Sequence, residues 1–287
     1  MPSCGVGHTV AMDDRGGAAG AAGFANGVAP WRERLGTVRD AVRQALVARQ
    51  LAAHLPPPLR ADGSRTRVLD AGCGQGTQLM NLARAGYQVV GLDQSSDLLA
   101  LAESAAAAEP DDVRARVEIV AGDVLDLRAA ATAGIVADGF DAVCCHGVVM
   151  YLPSLDAAVA ELAGVLRPGG VLSVLSRNRA GIAMRAGMTG DWRGAIDGFD
   201  ATRYGNRLGI ANCRADDPVD VAGAFVAAGV EVDAWYGVRL FSDHFGDVPP
   251  PEDPDELAAL LAAEEAAAAR DPYRQLAALT HTLGTRR

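Results

Sequence analysis

The run Val68-Leu69-Asp70-Ala71-Gly72-Cys73-Gly74-Gln75-Gly76-Thr77 decides how the rest of the chain is read. An apolar stretch leads into three glycines at alternate positions, and a helical pattern follows from Gln78 to Ala85. That order describes a buried strand, a tight turn and a helix N-terminus. Glycine at 72, 74 and 76 lets backbone approach a ligand with no Cβ in the way. The helix start adds free N–H groups and the positive end of the helix dipole. Taken alone, a strand followed by G-x-G-x-G fits an NAD, FAD or S-adenosylmethionine (SAM) site.

Strands and helices alternate outward from this turn. Helix Thr77–Ala85 precedes a strand at Gln88–Leu92 that ends in Asp93. Ser95 or Ser96 is placed to cap a helix over Asp97–Ala107. Further strands are expected at Val117–Val120, ending in Gly122-Asp123, and at Phe140–Cys145, ending in His146. A helix over Leu155–Leu166 is closed by Arg167-Pro168-Gly169-Gly170, and Val171–Leu175 is a fifth strand. Short all-apolar strands joined by helical crossovers imply a parallel sheet covered on both faces. Upstream, Leu35, Val38, Val42, Leu46, Leu51 and Leu55 mark a helix that begins near Trp31 and stops at Pro56-Pro57-Pro58. Downstream, the sheet pattern resumes with helix Pro218–Ala228 and strand Glu231–Leu240. An acidic, alanine-rich exposed helix follows within 251–271, and Thr280–Leu283 is a last strand.

Two segments depart from that pattern. Residues 1–28 are Gly/Ala-rich without periodicity, which predicts a disordered extension ahead of a domain over 29–287. Residues 177–214 carry seven arginines against three aspartates, or +4, inside a chain of net charge −10. This inserted flap has two readings, a surface for phosphates or an ordinary solvated face. Its Trp192, Phe199 and Tyr204 either stack on a base or anchor the flap.

The 287 residues are 49 % apolar, which supports a sizeable core. No apolar run reaches the length of about 18 residues that a membrane span needs. The start lacks a basic stretch followed by an apolar one, so no secretory signal is expected. Five scattered cysteines, none in CxxC spacing, point to reduced thiols in the cytoplasm and to no metal site. The neighbours Cys144 and Cys145 read either as core packing or as a redox pair. The negative balance disfavours a general nucleic-acid binder. All 26 lysine-plus-arginine positions are arginine.

Two carboxylates bear on the ligand. Asp93, at the end of the second strand, suits both ribose hydroxyls of a nucleoside. Asp123 after the third strand is either an acceptor for an adenine amino group or a helix cap. Together, L-D-A-G-C-G-Q-G, the acidic end of strand two, the G-D after strand three and the L-R-P-G-G before strand five resemble the class I SAM-dependent methyltransferases over roughly residues 66–176. The resemblance implies a Rossmann-like α/β fold, with a seven-stranded, mostly parallel sheet, helices on both faces and SAM over the strand C-termini. It puts Asp70 and Gly72 near the methionine end, Asp93 on the ribose and Asp123 near adenine.

The flanks narrow this. Gly36-Thr37-Val38-Arg39, His146, Ser176-Arg177-Asn178-Arg179-Ala180-Gly181, Gly237-Val238-Arg239-Leu240-Phe241-Ser242-Asp243-His244 and Glu264-Glu265 to Asp271-Pro272-Tyr273 resemble the bacterial tRNA 5-carboxymethoxyuridine carboxyl-methyltransferase group. That likeness spans most of residues 30–284, makes the first helix a lid, and implies that Arg39 and His146 belong to the SAM site. The implied cofactor-binding set is Arg39, Asp70, Gly72, Cys73, Gly74, Asp93, Asp123, Val124 and His146.

The reaction implied is esterification of a wobble-uridine carboxylate. A carboxylate is ionised at neutral pH and needs orientation more than a base. An arginine fork suits it, and Arg239 at a strand end is the catalytic candidate, with a structural salt bridge as its other reading. His146 reads as a cofactor contact or as a base for a phenol or amine, and Tyr151 as core or as a site residue. The acceptor is thus tRNA or a small molecule. The rivals to carboxylate esterification are O- or N-methylation of a metabolite and a non-catalytic SAM-binding protein.

Overall fold

The computed structural model describes residues 35–127, 139–206 and 208–287. The expected disorder of 1–28, the helix start near Trp31 and Arg207 of the flap lie outside these residues. Helix α1 covers Val38–Ala52, begun by Thr37, whose side chain accepts from Asp40 N–H. Then come β1 (Arg67–Ala71), α2 (Thr77–Arg84), β2 (Gln88–Asp93), α3 (Ser96–Ala107), the short α4 (Asp111–Arg114) and β3 (Val117–Ala121). A 3-10 turn at Val124–Asp126 follows, then β4 (Phe140–His146), a second 3-10 turn at Val149–Tyr151, α5 (Leu155–Gly164) and β5 (Leu166–Arg177). The flap comprises α6 (Ala180–Met188), α7 (Trp192–Gly198) and a hairpin of β6 (Arg203–Tyr204) and β7 (Cys213–Arg214). The chain closes with α8 (Pro218–Ala227), β8 (Val230–Val238), α9 (Pro254–Ala268) and β9 (Leu279–Arg286).

Seven strands form one sheet in the order β3-β2-β1-β4-β5-β9-β8. The pairings among β1 to β5 are parallel. Strand β9 slots between β5 and β8, antiparallel to both. Successive side chains of a strand point to opposite faces, and both faces are packed here. Leu69, Val90, Val143 and Cys145 join α5 and α8 through Leu162 and Phe225. Val68, Val89, Ala142 and Cys144 join α2 and α1 through Leu79 and Leu51. Cys144 and Cys145 therefore sit in different cores, each as a free thiol, which removes the redox-pair reading.

Several bounds differ from the expectation for local reasons. The helix expected to reach Leu166 stops at Gly164, because Leu166 already pairs with Phe140 across an irregular register. Ser95, rather than Ser96, caps α3, accepting from Leu98 N–H at 3.4 Å. The acidic helix α9 is not wholly exposed, since Glu264, Ala267 and Ala268 are buried.

The flap's charge is met from outside the segment. Arg179 pairs with Asp217 and Arg214 with Asp216, at 3.0 Å each. Arg185 and Arg177 approach the Asp243 carboxylate at 3.2 and 3.7 Å. Among the aromatics, Tyr204 lies under the Arg177 guanidinium, 5.2 Å from ring centre to Cζ, and anchors the hairpin. Trp192 and Phe199 stand out into solvent at 70 % and 74 % exposure.

Glu264 holds the turn after β8. Its carboxylate, 1 % exposed, accepts from the N–H groups of Leu240 (2.8 Å), Phe241 (3.1 Å) and Ser242 (2.7 Å) and from the Ser242 hydroxyl (2.6 Å). Glu264→Ala strands these donors, so stability to urea should fall by about 3 kcal/mol, a typical cost of removing a buried charged acceptor. An unchanged unfolding midpoint would show that water or another group replaces it.

Candidate cofactor and acceptor site

A cavity of about 520 Å³ opens over the C-terminal ends of β1, β2 and β4, where open α/β sheets bind ligands. The glycine turn forms its floor. Gly72, Gly74 and Gly76 have φ of 81°, 55° and 88°, the left-handed region that only glycine enters cheaply. A Cβ on Gly72 would collide with the Val148 side chain. The turn is tied to β2 by Gly72 N–H and Cys73 N–H, which both donate to Leu92 O, at 2.7 and 3.0 Å. Helix α2 starts from Gly76 with no side-chain cap, so its first N–H groups face the turn without a competing acceptor from the cap residue.

Eight of the ten residues singled out in the sequence line this cavity: Asp70, Gly72, Cys73, Gly74, Asp93, Asp123, Val124 and His146. Asp93 is held by both oxygens. Gly74 N–H donates to Oδ2 and Ser95 N–H to Oδ1, each at 2.9 Å. Asp70 is the opposite case. It is 2 % exposed, and its Oδ2 is buried with no hydrogen-bond partner. Burial, reinforced by the charge of Asp93, pushes its carboxyl up to about 7. A dry carboxyl with an unused oxygen suits a cationic donor.

Asp123 fills the role of cap and of wall at once. Its Oδ1 accepts from Leu125 N–H at 2.9 Å at the start of the 3-10 turn, and the residue borders the cavity. Cys73 is packed and its thiol pushed up by burial, so it is no nucleophile.

His146 ends β4 at the cavity wall. Its Nε2 lies 2.8 Å from Ser173 Oγ, and its Nδ1 is buried without a partner. Burial, with the Arg43 charge second, pulls its pKa down to about 3, so the ring is neutral.

Two residues of the set stand outside the lining. Arg39 is buried in α1 and reaches Asp247 Oδ1 at 2.5 Å. Arg239, with φ of 62°, forms an ion pair with Asp243 Oδ1 at 3.1 Å in the cluster with Arg177 and Arg185. The salt bridge, one of its two readings, is what the structure holds.

Among the described residues, the guanidinium groups at the cavity itself are Arg43 and Arg203. Arg43 lies one helical turn after Arg39 and pairs with Asp40 at 2.9 Å. Its four-residue spacing from Arg39 was the available signal. Arg203 donates to Asn212 O at 2.9 Å within the flap hairpin, whose residues 210–213 roof the cavity. Tyr151 also borders it, accepting from Asn206 Nδ2 at 3.1 Å. No group of three or more potential metal ligands occurs among the described residues, and none of their helices is long and apolar enough to cross a membrane.

Known proteins give this geometry its context. Residues 69–174 match the family described as a methyltransferase domain. A tRNA 5-carboxymethoxyuridine methyltransferase of Escherichia coli strain K12 is 28 % identical over 258 residues, covering 87 % of this chain and 90 % of that one. A ubiquinone biosynthesis O-methyltransferase of Xanthomonas oryzae pv. oryzae is 33 % identical over 131 residues, covering 46 % and 51 %. A solved glycopeptide N-methyltransferase in complex with SAM shares the fold, with a TM-score of 0.51, 16 % identity, and coverage of 84 % and 93 %. The glycine turn, the unused oxygen of Asp70 and the anchored Asp93 fit that cofactor, and this chain is a SAM-dependent methyltransferase of the class I fold.

Proposed function

We infer that the chain esterifies a carboxylate, and that its acceptor is a carboxymethoxyuridine at the wobble position of tRNA, in the cytoplasm. The observation that carries this reading is the reach of the Escherichia coli likeness. It extends over nearly nine-tenths of both chains, beyond the common domain, whereas the ubiquinone relative matches about half.

The chemistry of the cavity is compatible. When bound, SAM supplies an electrophilic methyl group for in-line displacement. An ionised carboxylate needs no base for that step, and the histidine on the wall is neutral with its Nε2 engaged. The chain's task is then to hold and orient. Asp70 meets the cationic amino group, Asp93 the ribose hydroxyls, and Asp123 with Val124 the adenine edge. Gly72, Cys73 and Gly74 supply the close backbone. Arg43 and Arg203 offer forks for the acceptor carboxylate, with Arg39 and the Arg239 cluster set behind them. The flap hairpin over the cavity excludes water.

A second reading, methylation of a small metabolite, is favoured by one observation. Four of the flap's arginines are already paired with Asp216, Asp217 and Asp243, which lowers the free positive charge available to RNA phosphates.

Incubation with SAM and tRNA bearing carboxymethoxyuridine should give the methyl ester, read by nucleoside mass spectrometry. Absence of ester with active, SAM-bound protein would exclude the tRNA acceptor. Arg43→Ala should raise the acceptor KM about tenfold, the scale of a charged hydrogen bond, and leave SAM affinity within about twofold. Asp93→Ala should weaken SAM binding in calorimetry by about tenfold or more, and unchanged binding would remove the ribose assignment. Asp70 gives a pH signature. Its carboxyl titrates near 7 in the free protein, and a cationic partner requires the ionised form. SAM affinity should therefore fall as pH drops below 7, by up to about tenfold per unit, and Asp70→Asn should flatten that slope.

A further inference from the structure

A line of hydrogen bonds runs from the cavity wall through the sheet to the lid helix. His146 Nε2 lies 2.8 Å from Ser173 Oγ on β5. The same hydroxyl lies 2.8 Å from His281 Nε2 on β9. His281 Nδ1 lies 2.7 Å from Gln50 Oε1 on α1. The inner members are sealed, with His281 at 0 %, Ser173 at 1 % and Gln50 at 8 % exposure. The two imidazoles meet edge to face, 5.2 Å between ring centres.

The proton positions follow from the ends inward. With the Gln50 amide oxygen turned to the ring, His281 Nδ1 carries the proton that it donates to Gln50. His281 is fully buried with no acid partner among the described residues, and burial disfavours a second proton on the ring. Its Nε2 is then a bare acceptor, and the Ser173 hydroxyl donates to it. A hydroxyl has one proton. Toward His146, Ser173 therefore accepts, and His146 Nε2–H donates. Being neutral, His146 is left with a bare Nδ1, the buried atom with no partner among the described residues.

We propose that Gln50, His281 and Ser173 are positioning residues that lock His146 as its Nε2–H tautomer, so that its Nδ1 lone pair accepts a hydrogen bond from a donor of the bound ligand. The chain of bonds also couples the seating of α1 to the state of the cavity wall. Without it, a neutral imidazole divides between two tautomers, and only one of them presents a lone pair from Nδ1. The inference rests on the cavity being the SAM site.

Nitrogen-15 NMR of the full chain, labelled at histidine and assigned by replacing one histidine at a time, reads the tautomers directly. His146 should be protonated at Nε2 alone and His281 at Nδ1 alone. In Ser173→Ala the His146 signals should move toward a tautomer mixture, and the dissociation constant for SAM should rise about fivefold, the scale of one hydrogen bond. Ser173→Thr, which keeps the hydroxyl, should restore both. Gln50→Leu, at the far end and on a surface helix, should shift His281 and His146 together and serves if Ser173→Ala fails to fold.

A wild-type His146 protonated at Nδ1, or tautomers and SAM affinity unmoved in the folded variants, would overturn the proposal. A wild-type protein that binds no SAM would instead refute the site assignment, while the tautomer signals would still report on the relay.

Discussion

Two carboxylates end adjacent strands beside one glycine turn, and only one of them is satisfied. Asp93 is pinned by the N–H groups of Gly74 and Ser95, so it ties the turn after β1 to the turn after β2. Asp70, one strand over, is dry and has an oxygen without a partner. Holding that carboxyl in the core raises its pKa toward neutrality, a cost that folding meets from the apolar strands around it. The unfavourable group is the informative one. In the proposed function it receives the cationic end of the cofactor, and the glycine turn and the uncapped start of α2 lie beside it.

The core of this design was legible because its signals are local. The strand β1 falls on the apolar run ahead of the alternate glycines, an order that allows little else. The ends of β2 and β4 fell at acidic or aromatic punctuation. What escaped depends on distant pairing. The strand at 280–283 proved to be Leu279–Arg286, set in the sheet between β5 and β8, which nothing in its own residues dictates. The flap helices α6 and α7 are short and glycine-containing. They are secured by close approach, as where Gly198 meets the Ala183 backbone, rather than by a periodic apolar stripe. The relay from Gln50 to His146 joins positions 50, 173 and 281, so no window of sequence contains it.

Charge shows the same division. A count over 177–214 sees a basic segment, yet the acids that answer it lie just beyond, at Asp216, Asp217 and Asp243. Three guanidinium groups surround the Asp243 carboxylate, from Arg177, Arg185 and Arg239. That cluster sets the flap against the strand ends as a pinned hairpin, with Tyr204 lying under Arg177. A residue in such a cluster has its orientation fixed by several partners, which suits a wall behind a binding site better than a group that must reorganise during a reaction.

Helix α1 connects these features. Along its length it presents Arg39 to Asp247, Arg43 one turn on to the cavity, and Gln50 two turns further to His281. The apolar residues Val38, Val42 and Leu46 meanwhile seat it against Leu175 and Val238. A helix held only by apolar packing can slide with little penalty, whereas one that must also meet a carboxylate, a cavity and a buried imidazole has one register. The helix is therefore part of the cavity wall, through Arg43, Gln44 and Val47. In the proposed relay, a displacement of α1 that withdraws Arg43 from the cavity lining would also break the Gln50–His281 hydrogen bond, so the lining and the state of the wall would change together.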